Sequence, residues 1–87
     1  MNYLINNEYC FDVFNDGDVM ASSMVISKSF ILNKTTWFVI QLFKNATSYS
    51  NAKENFIKHY NKDKIFLSDK FEEIFNILLK NKIIKGV

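Results

Sequence analysis

An apolar block with helical spacing most constrains how this chain can fold. Residues 37–43, WFVIQLF, follow a strand-like pattern with no intervening Gly or Pro. Asn33 can cap a helix that starts at Lys34, because its side chain can accept hydrogen bonds from the free amides of the first turn. Apolar side chains then point in nearly all directions, so this helix must be covered on several sides. The sequence predicts a central core helix.

Three short strand patterns precede this helix. Residues 9–14 alternate between two faces and end in the turn NDGD at 15–18, where Gly17 supplies a positive φ. A second strand is predicted over 19–22 and a third over about 25–32. Consecutive short strands of this kind form an antiparallel meander.

Two further helices are predicted after the core helix. Asn45 is expected to end the first helix in the left-handed conformation, and Ser48 to cap the second, which is amphipathic. The third helix is expected to begin at Ser68 or Asp69, because Asp69 and Glu72 have the spacing of a capping box. Its apolar stripe is wider than one core contact requires, and it contains Phe71, Ile74, Phe75, Leu78 and Leu79.

These elements predict an α+β fold of winged helix-turn-helix type, in which a three-stranded antiparallel β-meander is followed by three α-helices. Ile83, Ile84 and Val87 are expected to close the chain as a short strand-like tail. With 87 residues the chain is too short to divide its core, so 1–87 is expected to be one domain.

The residue inventory argues against catalysis and against a metal or other cofactor. His59 is the one histidine and lies among lysines, so a solvated surface position is expected. Cys10, the one cysteine, is interpreted as a small strand hydrophobe. Two glycines cannot form a phosphate-binding loop. We therefore expect a protein that is not an enzyme.

Nucleic-acid and membrane partners are also disfavoured. The net charge is only +2, and no arginine is present to read guanine. Acidic residues in the third helix, Asp69, Glu72 and Glu73, would face phosphates. A winged-helix transcription regulator nevertheless stays as the alternative. The start, MNYLINNEYCF, lacks the features of a signal peptide, so a cytoplasmic location is expected.

The last strand of the meander offers a different kind of site. Unless the C-terminal tail covers it, its outer edge presents free N–H and C=O groups that a second chain can pair with. The third helix beside it has apolar surface to spare. A strand edge next to an apolar helix suits an extended peptide, although the same side chains also suit a core.

The order and spacing of several segments resemble the PqqD-like family, the small peptide-recognition domains of ribosomal peptide natural-product pathways. The resemblance covers about residues 9–86 and is carried by FILN at 30–33, TTWFVIQLF at 35–43, the Ser48-capped helix and FEEIFNILLKNKII at 71–84. Asn45 and Lys82 depart from it, since the family often has Gly near these positions.

The resemblance implies a non-catalytic adaptor that binds the leader of a precursor peptide by β-strand addition and presents it to a separate maturation enzyme, such as a radical SAM enzyme, protease or cyclase. A ladder would be formed by Ser27, Lys28, Ser29, Phe30 and Ile31. A pocket floor would be formed by Phe71, Ile74, Phe75 and Leu78. Asp69, Glu72 or Glu73 would meet a basic leader residue. Edge strands also pair with copies of themselves, which leaves a homodimer open.

Overall fold

The computed structural model describes all 87 residues, Met1–Val87. The fold is α+β, with three helices and six strands in two antiparallel sheets. In chain order, the elements are β1 Asn2–Ile5, β2 Cys10–Val13, β3 Val19–Ser23, β4 Lys28–Leu32, α1 Lys34–Gln41, β5 Thr47–Ser48, α2 Tyr49–Tyr60, α3 Lys64–Lys80 and β6 Ile84–Gly86. One sheet has the order β2-β3-β4 and the other β5-β1-β6.

The predicted meander is confirmed as β2-β3-β4. Gly17 has the expected positive φ, 92°, in the turn between β2 and β3. The third strand is shorter than predicted, because it begins at Lys28 and not near Val25. Ser27 takes a left-handed φ of 60°, and its hydroxyl donates to the carbonyl of Met24 within the preceding turn.

The second sheet was predicted only in its C-terminal strand. β6 corresponds to the expected tail, whereas β1 shows no alternation of burial along its four residues and β5 has only two residues. β1 lies in the middle of this sheet, with Tyr3 opposite Thr47 on one side and Gly86 on the other. The two ends of the chain are therefore held together through β1.

The core helix α1 begins as predicted and ends differently. The Asn33 side chain accepts from the amide of Thr36 at 2.8 Å. Asn45 is not left-handed, so its predicted role is wrong. The helix instead tightens at its end, where Phe43 donates to the carbonyl of Ile40 and Lys44 to that of Gln41. This compact ending places β5 against β1.

The two remaining helices are capped by side chains. Ser48 caps α2 as predicted, since its hydroxyl accepts from the amide of Asn51 at 3.1 Å. The predicted start of α3 is wrong, because Asp63 caps it by accepting from the amides of Ile65 at 2.9 Å and Phe66 at 3.2 Å. Asp69 consequently lies inside the helix and does not cap it.

One hydrophobic core joins the helices to both sheets. It is formed by Tyr9, Ala21, Val39, Ile40, Phe43, Ala52, Phe56, Leu67, Phe71, Ile74, Phe75, Leu78, Ile83 and Ile84. Aromatic pairs are frequent in it, and the Phe75 ring is 4.9 Å from that of Tyr3 and 4.8 Å from that of Tyr49. α3 thus supplies the shared centre of the molecule.

The C-terminus of α3 closes in a Schellman motif. Lys82 is left-handed, with φ 61°. Its amide donates to the carbonyl of Leu79 at 3.1 Å, and that of Ile83 to the carbonyl of Leu78 at 2.9 Å. Glycine is the usual residue at this position, so Lys82 adopts a backbone conformation that glycine takes at lower cost.

The loop between β1 and β2 binds this helix end. Asn6 is 5% exposed, and its side-chain amide donates to the carbonyl of Lys82 at 2.9 Å. The backbone amide of Asn6 donates to the carbonyl of Ile83 at 2.9 Å, and the Tyr9 hydroxyl donates to the carbonyl of Asn81 at 2.8 Å. These bonds satisfy the carbonyls of the turn that follows α3 and hold the loop against it.

Replacing Lys82 with Gly should stabilise the protein. A side chain in the left-handed region costs about 1–2 kcal/mol, and glycine's greater freedom in the unfolded chain offsets part of that gain. We expect a higher midpoint in urea with an unchanged slope. Lys80→Gly, two residues earlier and inside the helix, should instead lower stability by about 0.5–1 kcal/mol. Equal destabilisation by both changes would contradict the assignment of strain to Lys82.

The Tyr9 hydrogen bond predicts a loss of stability in alkali. Burial raises the pKa of Tyr9 above its ordinary value of 10.0, so the folded state favours the protonated phenol. The protonated Tyr9 side chain therefore contributes its full share to the stability of the folded state below pH 10. This contribution is lost as the pH rises through the pKa that Tyr9 has in the folded state. In urea titrations at increasing pH, wild type should lose stability more steeply than Tyr9→Phe. Parallel curves would contradict this role for Tyr9.

Candidate functional site

The outer edge of β4 has no strand partner. β4 pairs with β3 on one side and ends the sheet on the other. The C-terminal tail does not cover it, because β6 pairs with β1 in the second sheet. The structure therefore confirms the open edge on which the predicted site depends.

The hydrogen bonds between β2 and β3 show toward which neighbouring strand the backbone N–H and C=O groups of each β3 residue point. The amide of Phe14 donates to the carbonyl of Asp18 at 2.8 Å, at the end of the β2–β3 register next to the turn. In an antiparallel pair, hydrogen-bonded and non-bonded positions alternate. Met20 and Ser22 therefore bond toward β2, and Val19, Ala21 and Ser23 toward β4.

The same alternation identifies the free groups of β4. Lys28, Phe30 and Leu32 lie opposite the β3 residues that bond toward them. The backbone groups of Ser29 and Ile31 consequently point away from the sheet. The predicted ladder of five residues is thus corrected to these two, because Ser27 lies in the turn while Lys28 and Phe30 are paired with β3.

The side chains of β4 alternate between the two faces of the sheet. Phe30 and Leu32 are partly buried and pack against the core, on the same face as Val19 and Ala21. Ser29 and Ile31 occupy the opposite face, where Ile31 is 63% exposed. A strand added at this edge would therefore direct alternate side chains toward the helices.

Helix α3 runs antiparallel to β4. At one end, the Lys28 ammonium lies 3.4 Å from the side-chain oxygen of Asn81. At the other, Phe66 and Lys70 line a depression with Thr35, which comes three residues after the end of β4. The spacing of helical neighbours places one row of α3 side chains along this side. We call this row the α3 flank, and it consists of Phe66, Lys70, Glu73, Ile77 and Asn81.

The residues predicted to form the pocket floor are core residues instead. Phe71 and Leu78 are 0% exposed, Ile74 is 5% and Phe75 is 6%. They pack against other helices and both sheets, so they offer little surface to a ligand. Ile77 is 50% exposed and lies on the α3 flank. Ile77 and Phe66, which is 63% exposed, are the apolar residues of this flank that a chain beside β4 can contact.

The acidic residues of α3 are distributed around the helix. Glu72 lies toward α2, where its charge adds to burial in raising the pKa of Tyr49. Asp69 is exposed, and the helical rotation places it about opposite the buried face. Glu73 is the acidic member of the α3 flank. Of the three predicted contacts for a basic peptide residue, only Glu73 is therefore brought beside β4.

The remaining candidates for chemistry lie apart from this edge. Cys10 is exposed, which corrects its interpretation as a packed strand residue. His59 is exposed as predicted, and its ring stacks on Phe38 at 4.2 Å. The chain contains no group of three or more histidine, cysteine or acidic residues placed to hold a metal ion. None of its helices has the length and apolar character needed to cross a membrane.

The comparisons with known proteins identify no family for this chain. No protein-family model matches the chain, and neither a curated protein nor a solved structure matches it.

The alternating direction of the backbone amides in β4 predicts losses of very different size for two neighbouring proline substitutions. Ser29→Pro removes an amide that points away from the sheet, and proline is tolerated at such edge positions. Phe30→Pro removes a ladder hydrogen bond and leaves a carbonyl of β3 without its partner, at a cost of about 1–3 kcal/mol. Urea unfolding should therefore show a much larger loss for Phe30→Pro. The reverse order would contradict the assigned phase.

Proposed function

We propose that this chain is a peptide-recognition domain of winged-helix type that binds the leader of a ribosomally made precursor peptide. The leader would add to β4 as a further antiparallel strand. The domain itself would be non-catalytic and would present the bound precursor to a separate maturation enzyme in the cytoplasm. The resemblance to the PqqD-like family supplies the ligand class and the kind of partner.

The observation that carries the proposal is the unpaired edge of β4 beside a partly apolar helix. An extended peptide gains affinity from main-chain hydrogen bonds and specificity from alternate side chains when it extends a sheet. Ser29 and Ile31 supply two amides and two carbonyls for such a ladder. Ile77, half exposed on the α3 flank, supplies apolar surface for a side chain on the inner face.

The charges near the edge are mixed, because the α3 flank carries Lys70 as well as Glu73. Glu73 is exposed on the α3 flank and has the charge to attract a basic side chain. Lys28 is also at the edge, but its ammonium contacts Asn81 at the far end of the helix. A leader segment with one basic residue near its apolar anchor fits this arrangement.

The ladder and one anchor do not account for tight binding. Four hydrogen bonds of about 1 kcal/mol each and one buried side chain at about 1.5–3 kcal/mol are opposed by about 2–5 kcal/mol for ordering the peptide. A dissociation constant of 1 μM corresponds to about −8 kcal/mol. A physiological leader would therefore need contacts beyond the two free residues of β4.

Titration of a fluorescently labelled leader peptide, taken from the precursor encoded nearest to this gene, tests the proposal. Ser29→Pro should abolish binding, because it removes a ladder donor and leaves the fold intact. Ile77→Asp should weaken binding at least about tenfold through loss of the apolar contact. Fluorescence anisotropy measures both effects.

Val13→Pro is the matched control. Val13 lies in β2, at the opposite edge of the same sheet, and the alternation places its amide away from β3. Binding should survive this change. Equal loss with Val13→Pro and Ser29→Pro would contradict the choice of β4. A complex with DNA that weakens with salt, and no complex with the leader, would favour the regulator instead.

A further inference from the structure

The depression that Phe66 and Lys70 line with Thr35 lies at the far end of the α3 flank from Asn81. It has a volume of about 250 Å³ and brings together one residue of α1, the end of α2 and the start of α3. It is lined by Thr35, Phe56, Tyr60, Lys62, Phe66, Leu67 and Lys70. We call it the lysine-rimmed pocket.

The floor of this pocket is apolar. Phe56 is 1% exposed and Leu67 is 5% exposed, so both are fixed by the core. Phe66 is 63% exposed although it is a large aromatic residue. Asp63 holds this turn of helix in place by accepting from the amide of Phe66 at 3.2 Å. An aromatic or long aliphatic guest would remove apolar surface of Phe66 from water.

The rim of the pocket is positively charged. Lys62 and Lys70 line it, and none of its lining residues is acidic. Both ammonium groups can therefore attract a carboxylate of a peptide that enters the pocket. The pocket thus combines an apolar floor with a basic rim, which suits an apolar side chain next to an acidic one.

The position of the pocket connects it to the edge of β4. Leu32 ends the strand, Asn33 caps α1, and Thr35 lines the pocket. A peptide that pairs antiparallel with β4 passes this end before it reaches Ser29. Its residues just N-terminal to the paired segment would therefore meet the lysine-rimmed pocket.

We propose that the lysine-rimmed pocket binds an aromatic or long aliphatic side chain adjacent to Asp or Glu, located in the same peptide N-terminal to the segment that pairs with β4. This inference rests on the proposed strand addition and specifies its ligand. The second anchor also supplies the contacts that the short ladder lacks.

Selection of a display library of random linear peptides on the purified protein tests this inference. Enriched sequences should carry a strand-forming segment and, at a fixed distance before it, an apolar residue next to an acidic one. Selection on the double variant Lys62→Glu/Lys70→Glu should remove the acidic preference while the strand-forming segment persists. Phe66→Ser should weaken a selected peptide about tenfold.

The outcomes separate the two proposals. Two results would contradict the proposal for the lysine-rimmed pocket and leave strand addition standing. One is enrichment that depends on Ser29 but shows no apolar–acidic pair, and the other is an unchanged set of enriched sequences on the charge-reversed variant. An apolar–acidic pair that is still selected on Ser29→Pro would support the pocket and contradict strand addition. A library that yields no enriched sequence on wild type would count against both. Lys44→Glu/Lys85→Glu, a double change outside the pocket lining, is the charge-matched control.

Discussion

The turn at Lys82 directs the C-terminal tail away from the outer edge of β4. It ends α3 in a left-handed residue and directs the chain into β6, which pairs with β1. Asn6 and Tyr9 bind the carbonyls of this turn from the opposite end of the sequence. The tail therefore pairs in the second sheet, and the outer edge of β4 is left without a strand partner.

The helix that the turn terminates also connects the core to the candidate site. Its inner face holds Phe71 and Leu78 at zero exposure, while Ile77 faces out beside the β4 edge. The same helix carries the exposed Phe66 one turn after its capping residue. The packing of the buried face of α3 in the core thus fixes the position of the α3 flank, whose side chains an added peptide would contact.

Much of the fold could be predicted because local chemistry determines it. Asn33 and Ser48 are recognisable caps, and Gly17 marks a turn, since each acts through its own backbone and nearest neighbours. The rotation of α3 could not be predicted, because the sequence shows a wide apolar stripe without showing which part the core covers. Lys82 was noticed as a departure from a pattern with Gly, but its left-handed conformation and its contact with Asn6 could not be predicted, because that contact joins distant parts of the chain.

The open edge of β4 was predicted from the sequence, whereas the outward backbone groups of this edge and the exposed side chains beside it were not. An unpaired last strand follows from the order of the elements, but the outward groups of Ser29 and Ile31 depend on a hydrogen-bond phase that residue types do not encode. Amide hydrogen exchange measured by NMR, with and without the leader peptide, tests this account most directly. The amides of Ser29 and Ile31 should exchange rapidly in the free protein and become protected in the complex, while Phe30 is protected in both. Protection of Ser29 and Ile31 in the free protein, or no change when the peptide binds, would contradict it.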